Sequence, residues 1–341
     1  MTRVDIGVFA HNEADGIANT LRGLIRQDTD GIDIRILVLA NGCTDDTVPL
    51  ARAFLASEPT LGASFRMEVF ELHKPGKSRT WNSFVHELSR PEADVLIFSD
   101  ADIELPEPDS LRRLVGGLSA NPDLHVFNSH PVKDIVHQPH NLSLIDKAIA
   151  SGSETLNEWK TAVCGSLYAM PSERARRLHL PIGLAVEDGF LRAMILTDVF
   201  TIPEDLKRID GDDVFHIFAA ERTIPALIRH QTRLVIGSAV NAAVFDHLRA
   251  LPSGQRRQAL KDASSQEAWL SNVIRSRLPR WPFGWIPFDW VTKRVLFMGR
   301  QPLRLVQPQR LFLLLLGLGF DLVVYINAQV KMTGGKGAGY W

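Results

Sequence analysis

The sequence predicts an α/β protein with a mostly parallel central sheet that is flanked by helices. Short apolar segments recur between residues 4 and 99, helix-like stretches separate them, and polar clusters follow them. This alternation is typical of parallel sheets that carry helices on both faces. Because ligands bind beyond the carboxyl ends of the strands in such sheets, the residues directly after each strand become the candidate site.

Four strands are predicted from apolar or alternating segments at residues 4–10, 34–39, 65–70 and 95–99. The stretches between successive segments have helix-like patterns, so the succession is strand and helix in turn. No glycine-rich dinucleotide-binding loop or Walker-type loop follows any of these segments. The protein must therefore hold any phosphate group in another way.

Polar residues follow the first, second and fourth predicted strands, and a basic turn follows the third. The polar residues are His11, Glu13, Asn41, Asp100 and Asp102. The basic turn, residues 73–79, leads into a helix and contains Lys77, and both a helix N-terminus and a lysine favour an anion. The topology therefore brings four polar clusters to one edge of the sheet.

Two aspartates one residue apart can both bind one Mg²⁺ or Mn²⁺ ion, and these ions are held by few carboxylates together with substrate phosphates. The pattern occurs three times, at Asp28/Asp30, Asp100/Asp102 and Asp210/Asp212. Only the second pair directly follows a strongly apolar strand, which predicts a metal site at the edge of the sheet. The other two pairs are predicted to lie in solvated loops.

An ordered set of motifs resembles the family 2 glycosyltransferases of the GT-A fold. The set comprises residues 9–13 (FAHNE), 41–47 (NGCTDDT), 76–78 (GKS), 100–102 (DAD) and 187–188 (ED). No single motif is decisive, but their order and spacing match the family over roughly residues 4–240. The resemblance implies an inverting enzyme that uses a nucleotide-sugar donor, a hydroxyl acceptor and a divalent metal ion.

The resemblance also implies roles for individual residues on the donor side. Ala10, His11 and Glu13 would border the nucleoside, and Lys77 would approach the diphosphate or the sugar. Asn41 stands where the family commonly has an aspartate that contacts the base. Because an amide can donate as well as accept, this departure puts the usual preference for uracil in doubt.

The resemblance implies a catalytic base as well. Transfer with inversion needs a carboxylate that takes the proton of the acceptor hydroxyl while the metal stabilises the departing diphosphate. Asp188 is the candidate, because residues 183–191 resemble the Glu-Asp element of the family, in which the second acid is the base. Glu187 is expected to support it.

Further candidates lie later in the chain. Arg229 and Arg233 are four residues apart, which places them on one face of a predicted helix and suits a departing diphosphate. His216 or His230 is a candidate for a third metal ligand. The tryptophan common in processive members of the family is replaced by Leu234, which argues against a synthase of long polymers.

The acceptor side is predicted from residues upstream of the Glu-Asp element. Trp159 and residues 164–166 are candidates to line it, and core packing is the alternative for Trp159. The acceptor itself is not identified by these residues.

Residues 277–341 differ from the rest of the chain in charge and hydrophobicity. They carry a net charge of +7, whereas the whole chain carries -1. We therefore predict a catalytic domain at residues 1–240, a helical connector at 241–276 and a basic, apolar tail at 277–341. The apolar run at 311–326 is shorter than the roughly 20 residues that span a bilayer.

The segment from residue 281 to 310 mixes aromatic and basic side chains, which suits a helix lying on anionic lipid. This pattern predicts association with a membrane surface, and then the acceptor would be a lipid or a lipid-linked sugar. A buried helix or a dimer contact is the alternative. Nucleic acid is not expected as a partner, because the basic residues are confined to this apolar tail.

Two cysteines among 341 residues and the lack of a signal-peptide pattern predict a cytoplasmic protein, associated with the inner face of the cell membrane if the tail binds lipid. Two other functions stay open. A sugar-phosphate nucleotidyltransferase would need a glycine- and arginine-rich loop after the first strand, where this chain is acidic. A membrane-associated scaffold would keep the nucleotide fold without catalysis.

Overall fold

The computed structural model describes residues 1–58, 65–139, 159–278, 286–288, 290–291 and 308–334. Residues 2–100 alternate strands and helices. The strands are β1 (Thr2–Ala10), β2 (Ile32–Asn41), β3 (Phe65–Leu72) and β4 (Val95–Asp100), and the helices between them are α1 (Ile17–Ile25), α2 (Thr47–Ser57) and α3 (Lys77–Ser83). A π-helical turn, Phe84–Leu88, extends α3. The four predicted strands are thus confirmed.

The chain after β4 adds further strands and helices. It contains β5 (Ile103–Glu104), α4 (Ser110–Ala120), β6 (Val126–Lys133), α5 (Asp134–His137), β7 (Leu167–Pro171), α6 (Ser172–Ala175), α7 (Glu187–Leu196), β8 (Ile209–Phe218), α8 (Ile224–Ala250), α9 (Ser253–Ala263), α10 (Trp269–Arg277) and α11 (Pro308–Thr333).

The described strands form one sheet in the order β3-β2-β1-β4-β7-β6-β8-β5. The first four pair in parallel, and β6 pairs in parallel with β8. Strand β7 lies antiparallel between β4 and β6, and β5 lies antiparallel to β8. The mixed, mostly parallel sheet with flanking helices agrees with the predicted fold class.

The two faces of the sheet bury separate hydrophobic clusters because successive side chains of a strand point to opposite faces. In β1, Val4, Ile6 and Val8 belong to the cluster that packs under α1 and α4. Phe9 belongs to the other cluster, which includes Trp81 of α3. Apolar packing on both faces holds the strand ends in place, and so it positions the loops that follow them.

The aspartate pairs outside the β4 end adopt two different structures. Asp28 and Asp30 lie in a turn, as predicted, and a side-chain oxygen of Asp28 accepts a hydrogen bond from the backbone N–H of Asp30. The prediction of a loop at Asp210/Asp212 is wrong, because both residues lie in β8. Both side chains lie on the accessible face of the strand, where charged residues are tolerated. Asp212 pairs there with Arg113 of α4 at 2.7 Å.

The C-terminal part of the chain is helical where the structure describes it. Helix α8 is a single helix of 27 residues that runs across position 240, one of the predicted boundaries. Helix α11 extends beyond the predicted apolar run, to Thr333, and packs against α8. Most of the basic and aromatic segment 281–310 lies outside the described residues.

Candidate active site

The parallel register of the first four strands brings the loops that follow them together. Ala10 at the end of β1 lies opposite Ala40 of β2, and Phe9 lies opposite Asp100 of β4. The carboxyl ends of these strands therefore form one edge, and the residues that follow β1, β2 and β4 gather there. The N-terminus of α3 joins them through hydrogen bonds to the end of β2.

Asn41 connects these loops from a buried position. Its side-chain N–H donates to the carbonyl of Ala10 at 2.9 Å, and its side-chain oxygen accepts from the N–H of Gly76 at 3.1 Å. The side chain is 4% exposed. The ring nitrogen Nδ1 of His11 lies 2.6 Å from the carbonyl oxygen of Asn41. Asn41 thus holds the loop after β1 against the start of α3, a contact that the sequence analysis did not foresee.

The residue after Asn41 must be glycine for two reasons. Gly42 has a φ of 59°, in the left-handed region that favours glycine. A Cβ atom there would also lie 2.7 Å from the Cβ of Pro75, which is closer than carbon atoms approach. The loops after β2 and β3 can therefore pass against each other only with glycine at this position.

Asp45 and Thr47 support Glu13, although the sequence analysis assigned neither a role. The carboxylate of Asp45 accepts hydrogen bonds from the N–H of Ala14 at 3.1 Å and from the N–H of Thr47 at 3.1 Å. The hydroxyl of Thr47 accepts a hydrogen bond from the N–H of Glu13 at 2.8 Å. An Asp two residues before a Thr at a helix start is a side-chain turn pattern that could have signalled this role.

Lys77 is the centre of the acidic site. Its ammonium lies 2.6 Å from Asp100 Oδ1 and 3.0 Å from Glu187 Oε1, and it donates to the carbonyl of Gly165 at 3.1 Å. Burial alone would lower the pKa of Lys77, but Asp100 and Glu187 outweigh burial and raise it. Lys77 therefore stays charged and links α3, β4 and the start of α7.

The carboxylates on this edge resist ionisation. Burial raises the pKa of Asp100 to about 6, although Lys77 opposes the shift. Burial, followed by the charges of Asp102 and Asp100, raises the pKa of Glu13 to about 7. A surplus of negative charge that shifts pKa values in this way is the environment that a divalent cation relieves.

Asp188 lies in the first turn of α7, where acidic side chains interact favourably with the helix dipole. Its Oδ1 accepts a hydrogen bond from the N–H of Gly189 at 2.6 Å. Burial and the neighbouring charge of Glu187 raise the pKa of Asp188. Gly165 lies beside this side chain, and a Cβ atom at Gly165 would make an ordinary contact of 3.4 Å with the Cβ of Asp188.

A cleft of about 490 Å³ joins these groups to the second half of the sheet. Asp100, Asp102 and Asp188 line its acidic side. Trp159 and Phe218 contribute an apolar wall, and the ring of Trp159 stacks on His130 at 5.1 Å. The cleft can therefore accept a polar, charged group at one side and a more apolar group at the other.

The two arginines predicted on one helix face lie in α8, but they are placed differently. Arg233 is half-buried and lines the cleft, and its charge acts on Asp188. Arg229 is exposed, and it is not part of the cleft lining in the described residues. Leu234 also lines the cleft.

The two histidines named as metal-ligand candidates are both engaged. His216 is fully buried, and its ring nitrogens lie 2.6 Å from Ser166 Oγ and 2.9 Å from Ser129 Oγ. His230 lines the cleft, and its Nδ1 lies 2.8 Å from Glu221 Oε1. The hydrogen bond from His230 lowers the pKa of Glu221 to about 2. The role of Glu221 was not predicted, because its partner His230 lies nine residues later in α8 and only the fold brings the two together.

The oxygen donors of the site fit a hard cation. Asp102 is exposed at the edge of the sheet, and Asp100 and Glu13 lie near it. Among the described residues, no group of three or more His, Cys, Asp or Glu side chains is arranged so that it could hold a metal ion by itself. Mg²⁺ and Mn²⁺ take few protein carboxylates and complete their coordination with water and substrate phosphates, so an incomplete protein site suits them.

The fold and the site define an α/β enzyme with an acidic ligand cleft at the carboxyl ends of its strands. The family model described as glycosyl transferase family 2 matches residues 5–179, about half of the chain. The chain therefore belongs to glycosyl transferase family 2, and it is a glycosyltransferase. No curated protein matches its sequence.

The chain is also similar to solved structures at low sequence identity. The chain is similar to the mannosyltransferase PcManGT from Pyrobaculum calidifontis in complex with GDP-Man and Mn²⁺, at 16% identity, with 96% of this chain and 86% of that chain covered and a TM-score of 0.54. It is also similar to glucosyl-3-phosphoglycerate synthase from Mycobacterium tuberculosis, at 21% identity, with 70% and 78% covered and a TM-score of 0.44. At this level of identity, the likeness to the mannosyltransferase shows the fold alone.

Proposed function

We propose that this protein is an inverting, metal-assisted glycosyltransferase that moves a sugar from a nucleotide-diphosphate sugar to a hydroxyl acceptor. The observation that carries the proposal is the arrangement around Lys77, which holds Asp100 and Glu187 while Asp102 and Asp188 line the same cleft. Carboxylates for a metal, a lysine for phosphate and a separate carboxylate for proton transfer are the groups that this reaction needs.

The donor side is assigned to the edge formed by β1, β2 and β4. Asp100 and Asp102 would hold Mg²⁺ or Mn²⁺, and the ion when bound stabilises the negative charge of the departing diphosphate. The mannosyltransferase of similar fold was solved with GDP-Man and Mn²⁺. Ala10, His11 and Glu13 would border the nucleoside, and Arg233 and Lys77 supply positive charge beside the carboxylates.

Asp188 is assigned as the base that takes the proton of the acceptor hydroxyl. Its raised pKa keeps the carboxylate basic enough for this task, since a base works best when its pKa approaches the working pH. Glu187, which is bound to Lys77, holds the start of α7 and so positions Asp188. The apolar wall with Trp159 and Leu234 would face the acceptor.

The acceptor is proposed to be a lipid or a lipid-linked sugar at the inner face of the cell membrane. Residues Leu314–Thr333 of α11 form a stretch of 20 residues with a mean hydropathy of 1.3 that is long and apolar enough to cross a membrane. Its inner face, with Val324, Ala328 and Met332, is buried in the protein. Its outer face exposes apolar side chains, namely Leu315, Leu316, Leu322, Val323, Ile326 and Val330. A row of exposed apolar side chains on a helix suits contact with lipid.

The base is tested by Asp188→Asn. We expect this variant to bind the nucleotide sugar with Mn²⁺ as the parent does, and to lose transfer by about a hundredfold or more, because an amide cannot take the proton. Calorimetry with several nucleotide sugars, with Mn²⁺ or with chelator, identifies the donor, and transfer of the labelled sugar to a membrane lipid extract measures turnover. Asp205→Asn, in the Glu-Asp pair at the start of a short 3-10 helix, is the matched control.

Normal transfer by Asp188→Asn would show that another group is the base. Release of pyrophosphate from a nucleoside triphosphate and a sugar phosphate would instead identify a nucleotidyltransferase. Absence of metal-linked binding to every nucleotide sugar would favour a scaffold.

The membrane contact is tested by flotation with lipid vesicles. The double variant Leu316→Ser and Ile326→Ser should lose much of its binding, because two exposed apolar contacts of α11 are removed. The double variant Leu50→Ser and Leu206→Ser changes two other exposed leucines, which lie outside α11, and should bind as the parent does. Equal binding of both double variants would exclude α11 as the membrane contact.

A further inference from the structure

A second pocket lies at the opposite end of the sheet from the cleft. His125 and Arg208 directly precede β6 and β8, whereas Pro131 and Phe218, near the other ends of those strands, line the cleft. This pocket has a volume of about 130 Å³ and is lined by Arg174, Arg177, Arg208 and Arg257 together with His125 and Asp198. We name it the arginine pocket. Helix α7, which begins at Glu187 in the cleft, ends beside it.

Positive charge exceeds negative charge in the arginine pocket. Asp198 is its one acidic lining residue, and it pairs with Arg257 at 2.7 Å and more loosely with Arg208 at 3.9 Å. Outside the lining, Arg208 also lies 3.6 Å from Asp205, and Arg177 pairs with Glu173. Within the described part of the chain, the guanidinium of Arg174 makes no hydrogen bond or ion pair. One arginine of the pocket is therefore left for a ligand.

The pKa of His125 is lowered in the arginine pocket. Burial, followed by Arg208 and Arg174, lowers the pKa of its imidazole to about 4. The ring is therefore neutral near pH 7, and it can donate to an anion through one nitrogen without adding charge. The two arginines add to the effect of burial, so the ring lies in an electropositive cavity, which is the environment that an anion favours.

The backbone around Asp198 is unusual. Asp198, Val199 and Phe200 have φ values of 48°, 60° and 59°, a run of three non-glycine residues in the left-handed region. Each such residue costs of order 1 kcal/mol or more. The turn is held by burial of Val199 and by a hydrogen bond from its N–H to the carbonyl of Met194 at 2.9 Å. Packing thus keeps the Asp198 carboxylate beside the arginines, where it occupies part of the space that an anion would use.

We propose that the arginine pocket binds a phosphate group, either of a soluble phosphate compound or of a phosphomonoester lipid headgroup. Guanidinium groups match phosphate because their planar N–H donors form paired hydrogen bonds with two oxygens. The volume of the pocket suits one phosphate group rather than a whole nucleotide. This proposal does not depend on the proposed function, since it concerns the other end of the sheet.

The experiment measures binding of inorganic phosphate by calorimetry at constant ionic strength, with chelator present to keep metal ions away. Arg174→Gln should weaken binding about tenfold, because a charged hydrogen-bond donor is lost. Asp198→Asn should strengthen it about two- to fivefold, because a competing anion is removed while asparagine tolerates the left-handed backbone. Arg52→Gln, an exposed arginine of α2 paired with Glu71, is the matched control and should leave binding unchanged.

Equal phosphate affinity in the parent and in Arg174→Gln would overturn the proposal, as would weaker binding by a folded Asp198→Asn. Thermal unfolding of each variant verifies that it folds. Displacement of phosphate by saturating nucleoside diphosphate and Mn²⁺ would also overturn it, because the phosphate would then lie in the cleft.

Flotation with vesicles of phosphatidylcholine, with and without phosphatidic acid, separates the two sources of phosphate. If Arg174→Gln loses binding to phosphatidic acid vesicles, the source is a lipid headgroup. If this variant loses affinity for inorganic phosphate but keeps the vesicle binding of the parent, the source is a soluble compound.

Discussion

The two ends of the sheet carry opposite charges. At the carboxyl ends of the first strands, Lys77 pairs with Asp100 and Glu187, and the charges of Asp100 and Asp102 act on Glu13. At the other end, four arginines surround Asp198. The net charge of -1 conceals this separation. The acidic end has an excess of negative charge and the other end an excess of positive charge, so each end is suited to a ligand of the opposite charge.

The pKa values of titratable groups at the two ends shift in opposite directions. Burial raises the pKa of Glu13 to about 7 and that of Asp100 to about 6, with help from neighbouring carboxylates. Burial and nearby arginines lower the pKa of His125 to about 4. The pKa values of Glu13, Asp100 and His125 are therefore all shifted toward the neutral form, and a ligand of opposite charge would reverse these shifts.

Lys77→Met should have the largest effect on stability, because it removes the positive charge that neutralises carboxylates at the acidic end. Asp100 and Glu187 would lose their cation while they stay largely buried, which should lower the free energy of unfolding by about 3 kcal/mol. Urea denaturation measures the change, and Mn²⁺ should restore part of it. Lys74→Met, in an exposed pair with Glu267, should change stability by less than about 1 kcal/mol. An equal loss in both variants would mean that Lys77 is not the centre of the site.

Gly237→Ala should have an intermediate effect that reaches the acidic end through packing. The added Cβ would lie 2.3 Å from Cγ2 of Val186, the residue before Glu187, so α7 must shift. We expect a loss of about 1–3 kcal/mol of stability and a fall in turnover of about tenfold or more. Gly116→Ala meets no atom within 4 Å in α4 and should stabilise the protein by about 0.5–1 kcal/mol. Unchanged turnover of Gly237→Ala would show that this contact does not position Asp188.

His125→Gln should have the smallest effect, seen as a change in pH dependence at the basic end. Because the folded pKa of about 4 is below the ordinary value of 6.5, the unfolded chain takes up the proton first as the pH falls. His125 therefore contributes a loss of stability as the pH falls from 6.5 to 4, whereas the raised pKa values of Glu13 and Asp100 act in the opposite direction in both proteins. Relative to the parent, the variant should gain about 1 kcal/mol of stability over this range, a value reduced for solvent screening of a half-buried ring.

Urea denaturation at several pH values measures this difference. His73→Gln, at an exposed position of the acidic end, is the control and should keep the pH dependence of the parent. Parallel pH profiles for the parent and His125→Gln would contradict the lowered pKa of His125.

Some features were predictable because their signals are local in the sequence. Strands β1 to β4 are continuous apolar or alternating segments, so their positions were predicted to within a few residues. Asp100 ends a strand whose preceding residues are all buried, and Asp102 follows it, which distinguishes this pair from Asp28 and Asp30 in a turn. The loop predicted at Asp210/Asp212 was wrong because β8 alternates acids with buried residues such as Ile209 and Gly211, and a strand with an accessible face can carry charge.

Other features depended on contacts between distant parts of the chain. Lys77 meets Asp100 and Glu187 only because α3, β4 and α7 pack together. The buried amide of Asn41 joins two loops, a role that its motif does not reveal. Strand β7 enters the sheet antiparallel between β4 and β6, and no local pattern signals that order.

The sequence by itself determined the alternation of strands and helices, because hydrophobic periodicity depends on neighbouring residues. It also determined the family and the acidic residues at the strand ends, because the order of the motifs can be read along the chain. Only the tertiary structure decided which charges meet. The lysine at the centre of the acidic site and the four arginines of the opposite pocket come from separate elements, and electrostatic interactions depend on distances in space rather than on separation along the chain.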